Sequence, residues 1–471
     1  MKKFSLIVTI IMTMLVVSLV GAQTALPGAG WKSGQQIQNV GSADATIVLT
    51  AYDVTGVDYP CQAQSVSAGG SFTYLTDDTV VCPGIPAGFQ GSAVASADQP
   101  IAAVVNVNNK GTGAAAGQYR GTDGSAVATT ISFPLVKHNH SGRTTTFYVQ
   151  NASNAENEVT ATFIVAGMEY TNPTPYVVPA NSMAVLSPLD FGVPAGQGQV
   201  GSLTVTGTQP LAGTSLEHEH SAAVAQNLQA SQAFTPNNYD STVYCPLVRD
   251  GHTSKNQTTG VQVQNVTNAA QDITITYQVN GATRGPFTQN VAGGASHTFY
   301  TPDHFNPGEL GSATVTSTGD IVAVVNDKGI NTSNPQRVTT YACFPANSAT
   351  STINLPLVKE FAGINTTGIQ IQNVSGSSDA NITLSYTTQN GDVVEVASAS
   401  PVPAGASMTV YGISNAPANI TLVSGDITLP QMNGTVNGVV ITADQPIVAI
   451  ANESSFTGSI QDTKNYEGFN K

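Results

Sequence analysis

Four of the seven histidines stand in two i, i+2 pairs, His138-Asn139-His140 and His218-Glu219-His220. On a strand such residues share a face, so each pair can offer two imidazoles to one transition-metal ion. His138, His140, His218 and His220 are therefore the candidate metal ligands. The stretch Glu217 to Glu219 stands where other parts of the chain carry Asn106-Val107-Asn108 and Asn326-Asp327-Lys328. A local departure of that kind is where a grafted site would sit. Asp53, Asp58, Asp77 and Asp78 supply oxygen ligands of the type calcium takes, but no spaced Asp-x-Asp-x-Asp-Gly loop occurs. Calcium is a candidate ion, solvated carboxylates are the simpler reading, and no other cofactor is expected.

Covalent chemistry is poorly provided for. Neither a Gly-x-Ser-x-Gly elbow nor a His-Glu-x-x-His helix is present. Gly196-Gln197-Gly198-Gln199-Val200-Gly201 spells a dinucleotide fingerprint, yet strand text (Ser202-Leu203-Thr204-Val205-Thr206) follows it where the motif needs a helix N-terminus. Glu is scarce, and Trp31 is the sole tryptophan, so paired glycosidase carboxylates and aromatic sugar platforms are not indicated. The chain is expected not to be an enzyme. Sequons such as Asn151-Ala152-Ser153 and Asn265-Val266-Thr267 are frequent, as an Asn/Thr-rich composition alone would make them.

The first residues read as an export signal spanning 1–22: Lys2 and Lys3, an apolar run from Phe4 to Val20, and small residues at Val20-Gly21-Ala22. No later segment is apolar enough to be a membrane span. Only 9% of residues are charged and the net charge is −14, which disfavours nucleic acid as a partner. Four cysteines in an exported chain suggest two disulfides. Of the three pairings, Cys61–Cys82 and Cys245–Cys343 keep each bridge inside one repeat.

Those repeats are the strongest signal. An alternating strand ends in Gln-Asn four times, at Gln38-Asn39, Gln150-Asn151, Gln264-Asn265 and Gln372-Asn373. A second strand follows each, as in Ile273-Thr274-Ile275-Thr276-Tyr277. Next come a Val and, five positions on, a Ser: Val66/Ser71, Val177/Ser182, Val291/Ser296 and Val402/Ser407. A Gly-Ser corner appears at Gly91-Ser92, Gly201-Ser202 and Gly311-Ser312. Phe133-Pro134-Leu135-Val136, Cys245-Pro246-Leu247-Val248 and Leu355-Pro356-Leu357-Val358 open the second, third and fourth units, whereas the first has only Leu26-Pro27.

Roughly seven short strands per unit, with period-two alternation and frequent turns, predict an all-β chain of four antiparallel β-sandwiches. The units are placed at 23–132, 133–244, 245–354 and 355–471. In this organisation the chain resembles tandem immunoglobulin-like repeat proteins of prokaryotic cell surfaces, including surface-layer and adhesin-like proteins. The resemblance implies Ig-like sandwiches and an extracellular or cell-surface location. The function expected is a structural one, as a coat or filament component in the form of a stiff rod. The alternatives are an adhesin or glycan- or protein-binding module, or an accessory module of an extracellular enzyme system. Its partners would be other copies of itself, or surface proteins and glycans.

Overall fold

The computed structural model describes residues 26–109, 111–252, 256–329, 337–455 and 463–470. The export segment 1–22 lies outside these. The described chain is all-β, in antiparallel sheets joined by turns and short 3₁₀ segments. None of its helices is long and apolar enough to cross a membrane.

One pattern of strands recurs with each Gln-Asn landmark. The landmark strands are Lys32–Asn39, Arg143–Asn151, Gln257–Asn265 and Asn365–Asn373. Each lies antiparallel to the later part of a long strand: Ile101–Asn108 in the first copy, then Val200–Glu219, Leu310–Gly329 and Thr435–Ser455. The earlier part of the long strand pairs with the second strand and, in copies two to four, with an opening strand. One long strand thus belongs to both layers of its sandwich. It bends between them where Gly207 to Pro210 and Asp444 to Pro446 interrupt regular pairing, a Gly/Pro role well known at strand bends. In the first copy the same stretch is split into Gly91–Ala97 and Ile101–Asn108.

The opening strands are Ala128–His140, Asp240–Arg249 and Thr350–Glu360. The divisions read at 133, 245 and 355 therefore fall inside strands. The sheets enclose apolar layers, such as Ile131, Phe133, Phe147, Val159 and Phe163 in copy two. Both disulfides, Cys61–Cys82 and Cys245–Cys343, are formed.

The landmark asparagines explain the repeat. Asn39, Asn151, Asn265 and Asn373 are fully buried. Each donates its amide to two carbonyls of its own copy: Ala43 and Val66, Ala155 and Val178, Ala269 and Val291, Ser378 and Val402, at 2.7–3.1 Å. The carbonyls belong to the turn after the landmark strand and to the end of the third strand, so one side chain ties three chain segments together. Copy two corrects the sequence reading here. Its partner is Val178, which is buried, while Val177 is exposed. Met183, not Ser182, pairs with Gln150. The Val177-Val178 doublet had allowed a one-residue slip.

The stiff rod expected of tandem sandwiches is not what forms. After each long strand comes a short one, Ala116–Arg120, Leu228–Gln232, Val338–Ala342 and Thr463–Glu467, paired to it edge to edge. These four axial strands pack in a closed circuit: the first on the second, the second on the third, the third on the fourth and the fourth on the first. The apolar layers are shared accordingly. Val448 and Ile450 of copy four join the core of copy three, and Val104 of copy one joins that of copy four.

Candidate functional site

The seams between copies are built from the repeat's own landmarks. Gln150, Gln264 and Gln372 each donate to the carbonyl of a left-handed residue at the tight turn before the next strand, Asn181, Gly294 and Gly405, at 3.1–3.3 Å. The same three carbonyls accept a hydroxyl from the preceding copy: Ser92 to Asn181, Ser202 to Gly294 and Ser312 to Gly405, at 2.6–2.8 Å. Asn therefore holds its own copy together, and Gln with Ser holds the seam. The glycine beside each serine is required by space. A Cβ on Gly201 would come within 1.9 Å of the Ile164 carbonyl oxygen, and one on Gly311 within 2.1 Å of that of Gln278.

The seam from copy four back to copy one is different. Position 438 is Gly where the other copies have Ser, and its backbone faces the Gln38 amide. Gln38 still donates to Gly69, at 3.1 Å. Besides the packing of the first and fourth axial strands and of Val104, the seam has Arg120, whose guanidinium lies 4.3 Å from the centre of the Phe469 ring and donates to the Gly468 carbonyl.

A second recurring device lies inside copies two to four. A cation on the opening strand meets a buried carboxylate on the long strand: Lys137 with Glu217, Arg249 with Asp327, and Lys359 with Glu453. Burial works against charge on Glu217, but Lys137 and Arg143 outweigh it and hold its carboxyl down at about 2. Glu453 is likewise pulled down against burial by Lys464 and Lys359. Asn326 of copy three donates to Glu217 at 3.1 Å, so this group also braces a seam. Copy one has no opening strand among the described residues, and carries Val107 where the carboxylate would be. Glu217 is thus one instance of a structural ion pair, and the expectation that its neighbourhood marks a grafted site is not met.

The tyrosines of the axial strands form a third device. The Pro-Leu step of each opening strand breaks the ladder register, leaving a leucine backbone to be satisfied. The Tyr341 hydroxyl accepts from the Leu247 N–H and donates to its carbonyl, and Tyr466 does the same for Leu357. Burial pushes both phenols well up, so they stay neutral. Ser231 stands at this position in copy two. Beside it a crevice lined by Phe133, Leu135, Ser215 and Thr340 holds about 10 Å³ of free space, room for one water.

The four candidate metal ligands do not converge. Asn139 and Ser141 have positive φ, and the resulting bulge breaks the alternation that would have put His138 and His140 on one face. His138 faces the Val193 carbonyl at 2.7 Å, and His140 accepts from the Gly198 N–H at 3.1 Å. Both ring nitrogens of His218 are engaged, with Thr146 and the Glu219 carbonyl. Only His138 and His220 meet, with ring centres 5.6 Å apart. Among the described residues no three His, Cys, Asp or Glu side chains stand together as an ion would need. The acidic residues are used locally. Asp53 accepts from Thr55, Val57 and Tyr59, Asp78 caps Val80 and Val81, and Asp77 pairs with Lys32.

The chain matches no family model and no curated protein. Among solved structures it is similar to the tetra-tandem repeat in the extending region of a large adhesion protein. That match has 13% identity, covers 93% of this chain and 94% of the other, and has a TM-score of 0.10. A second similarity is to dimeric latent PorU from Porphyromonas gingivalis, at 12% identity over 78% of this chain and 31% of the other, with a TM-score of 0.11. Scores this low carry no argument about fold or role.

Proposed function

We propose that the chain is an exported, non-enzymatic structural protein of the cell surface, a building block of a coat or filament. In this reading it consists of four Ig-like sandwiches, close to 23–132, 133–244, 245–354 and 355–471, that act as one rigid body. The observation that carries it is the doubly bonded seam carbonyl, repeated at Asn181, Gly294 and Gly405. Of the recurring residues, the Asn braces each copy from within and the Gln and Ser join one copy to the next. The recurring ion pairs and the Tyr341 and Tyr466 hydroxyls fit the same purpose, because they are engaged in internal bonds. Two disulfides suit an oxidising compartment outside the cytosol.

Electron microscopy of the purified mature protein, with and without calcium, tests the proposal. Ordered sheets or filaments of compact blocks are expected. Single blocks that bind a glycan array would favour the adhesin alternative, and saturable hydrolysis of a peptide or glycoside panel would overturn the non-enzymatic reading.

A further inference from the structure

Copy one differs from its sisters along one edge. In copies two to four the outer edge of the long strand's first part is covered by the opening strand. Leu203 and Val205, Ala313 and Val315, and Val439 and Ile441 are all buried there, at 2% exposure or less. Among the described residues the matching strand of copy one, Gly91–Ala97, pairs only with Ala45–Asp53. Ala93 and Ala95 are half-buried and Val94 is 37% exposed. Phe72, Val81 and Ile85 are also only partly covered around the same core.

The described residues before the landmark strand, 26–31, do not lie on this edge. Leu26 and Trp31 pack with Leu216 and Leu228 of copy two. Gly28 lies against Ala223 and Val224, and Gly30 against Thr112.

Natural edges are blunted by Lys, Pro, bulges or inward charges. The strand Gly91-Ser92-Ala93-Val94-Ala95-Ser96-Ala97 carries none of these, and its register against Ala45–Asp53 is unbroken. The three sister copies show what fits the slot: an extended strand with an aliphatic residue and, two places on, another apolar residue before Pro-Leu-Val. Ile131 and Phe133, and Ile353 and Leu355, supply that pair, and all four are buried. The sisters' own opening strands are locked in their sandwiches, so they cannot be lent to a neighbour.

We propose that Gly91–Ala97 is a strand-accepting edge, and that its occupant is an extended apolar segment of another polypeptide that adds to copy one as the opening strand adds to its sisters. The main chain of the donor supplies the ladder and its alternate side chains enter the copy-one core. Val107 in place of the ion-pair carboxylate means that the donor needs no cation after Pro-Leu-Val. This goes beyond the structural reading above by naming how one block would join a partner, and either can fail alone.

The test uses the mature protein and two synthetic peptides with the sequences of Ala128–Val136 and Thr350–Val358. Calorimetry is expected to show one peptide bound per chain, and hydrogen exchange is expected to show slowed amides within 91–97 and nowhere else. A peptide with Ile131→Asp and Phe133→Asp, and separately the protein variant Ala95→Glu, should each weaken binding by at least about tenfold. Unchanged melting and intact disulfides in Ala95→Glu keep that arm interpretable. A second variant, Val94→Lys, alters the edge without touching the core and should weaken binding too. Failure of both peptides to bind overturns the proposal, as does binding indifferent to Ala95→Glu and Val94→Lys. Interior-like protection of 91–97 in the free mature protein would also overturn it. If only protein retaining residues 1–22 is protected there, the occupant is the chain's own leader and the partner is excluded. Sheets or filaments that persist in Val94→Lys while peptide binding is lost would leave the structural role standing.

Discussion

The seam between copies two and three and the seam between copies four and one join the same kinds of surface by different means. The first has the Ser202 hydroxyl and the Gln264 amide on one carbonyl, with Glu217 bonded across to Asn326. The second has Gly438 where the serine would be, and relies on Arg120 against Gly468 and Phe469. Equal head-to-tail joints close into a ring whenever the rotation per joint fits, so the closing seam is not obliged to differ. Here the polar bond of the other seams gives way to a long cation over a ring, added to the packed axial strands. The Gln-Ser pairing on one carbonyl is kept at three seams and replaced at the fourth.

The largest effect is expected at Glu217. Glu217→Gln leaves Lys137 and Arg143 buried without a counter-charge and should cost about 3–5 kcal/mol in urea unfolding. Acid should act in opposite directions on two groups. Glu217 is held below its ordinary 4.5, so its contribution is full above that pH and is lost as pH falls toward about 2. Glu467 is raised by burial, only partly offset by its bond from the Ala342 N–H and by Arg120. Its contribution is present below the ordinary value and is lost as pH rises through the raised one. Melting curves from pH 2 to 8 should therefore show Glu467→Gln matching or exceeding the parent near neutrality, and Glu217→Gln with a shallower acid limb than the parent, the remainder coming from other lowered carboxyls such as Glu309 and Glu453.

Arg120→Ala should destabilise by about 2 kcal/mol through the lost ring contact and carbonyl bond. Crosslinking between copies one and four should fall with it, while the other seams stay closed. The smallest effects fall at the seam hydroxyls. Ser202→Ala or Ser312→Ala should each cost about 1 kcal/mol in thermal melts. Gly438→Ser should gain about 0.5–1 kcal/mol if its hydroxyl reaches Gly69, since a Cβ there meets only Gln38 at 3.5 Å. A loss from Gly438→Ser would mean that the closing seam cannot accept the geometry of the others.

Much of a single copy was legible in the sequence. Period-two alternation and the Gln-Asn recurrence located the strands, because a sandwich buries one face of each sheet. Both disulfides followed from keeping each bridge within a repeat. The reason for the Gln was not legible, because the carbonyl it shares with a serine of the preceding copy lies about 90 residues away from that serine. Ring closure was hidden for a related reason. The axial strands read AGQYR, LQASQ, VTTYA and TKNYE; three share a tyrosine at the fourth place, but nothing in strands this short says that the four face one another. The histidines misled because i, i+2 spacing implies a common face only on an unbulged strand. That copy one has no opening strand among the described residues agrees with the lone Leu26-Pro27 in the sequence. The exposed edge this leaves, and the Val107 that replaces the ion-pair carboxylate, emerged only from the pairing.

Small-angle scattering of the monodisperse mature protein tests the closed four-copy block most directly. A compact chain of this length has a radius of gyration near 23 Å, about 22–24 Å, and the closed block requires that value. Four sandwiches strung end to end would give roughly double that radius and a strongly elongated distance distribution, and such a result would contradict the closed circuit of axial strands.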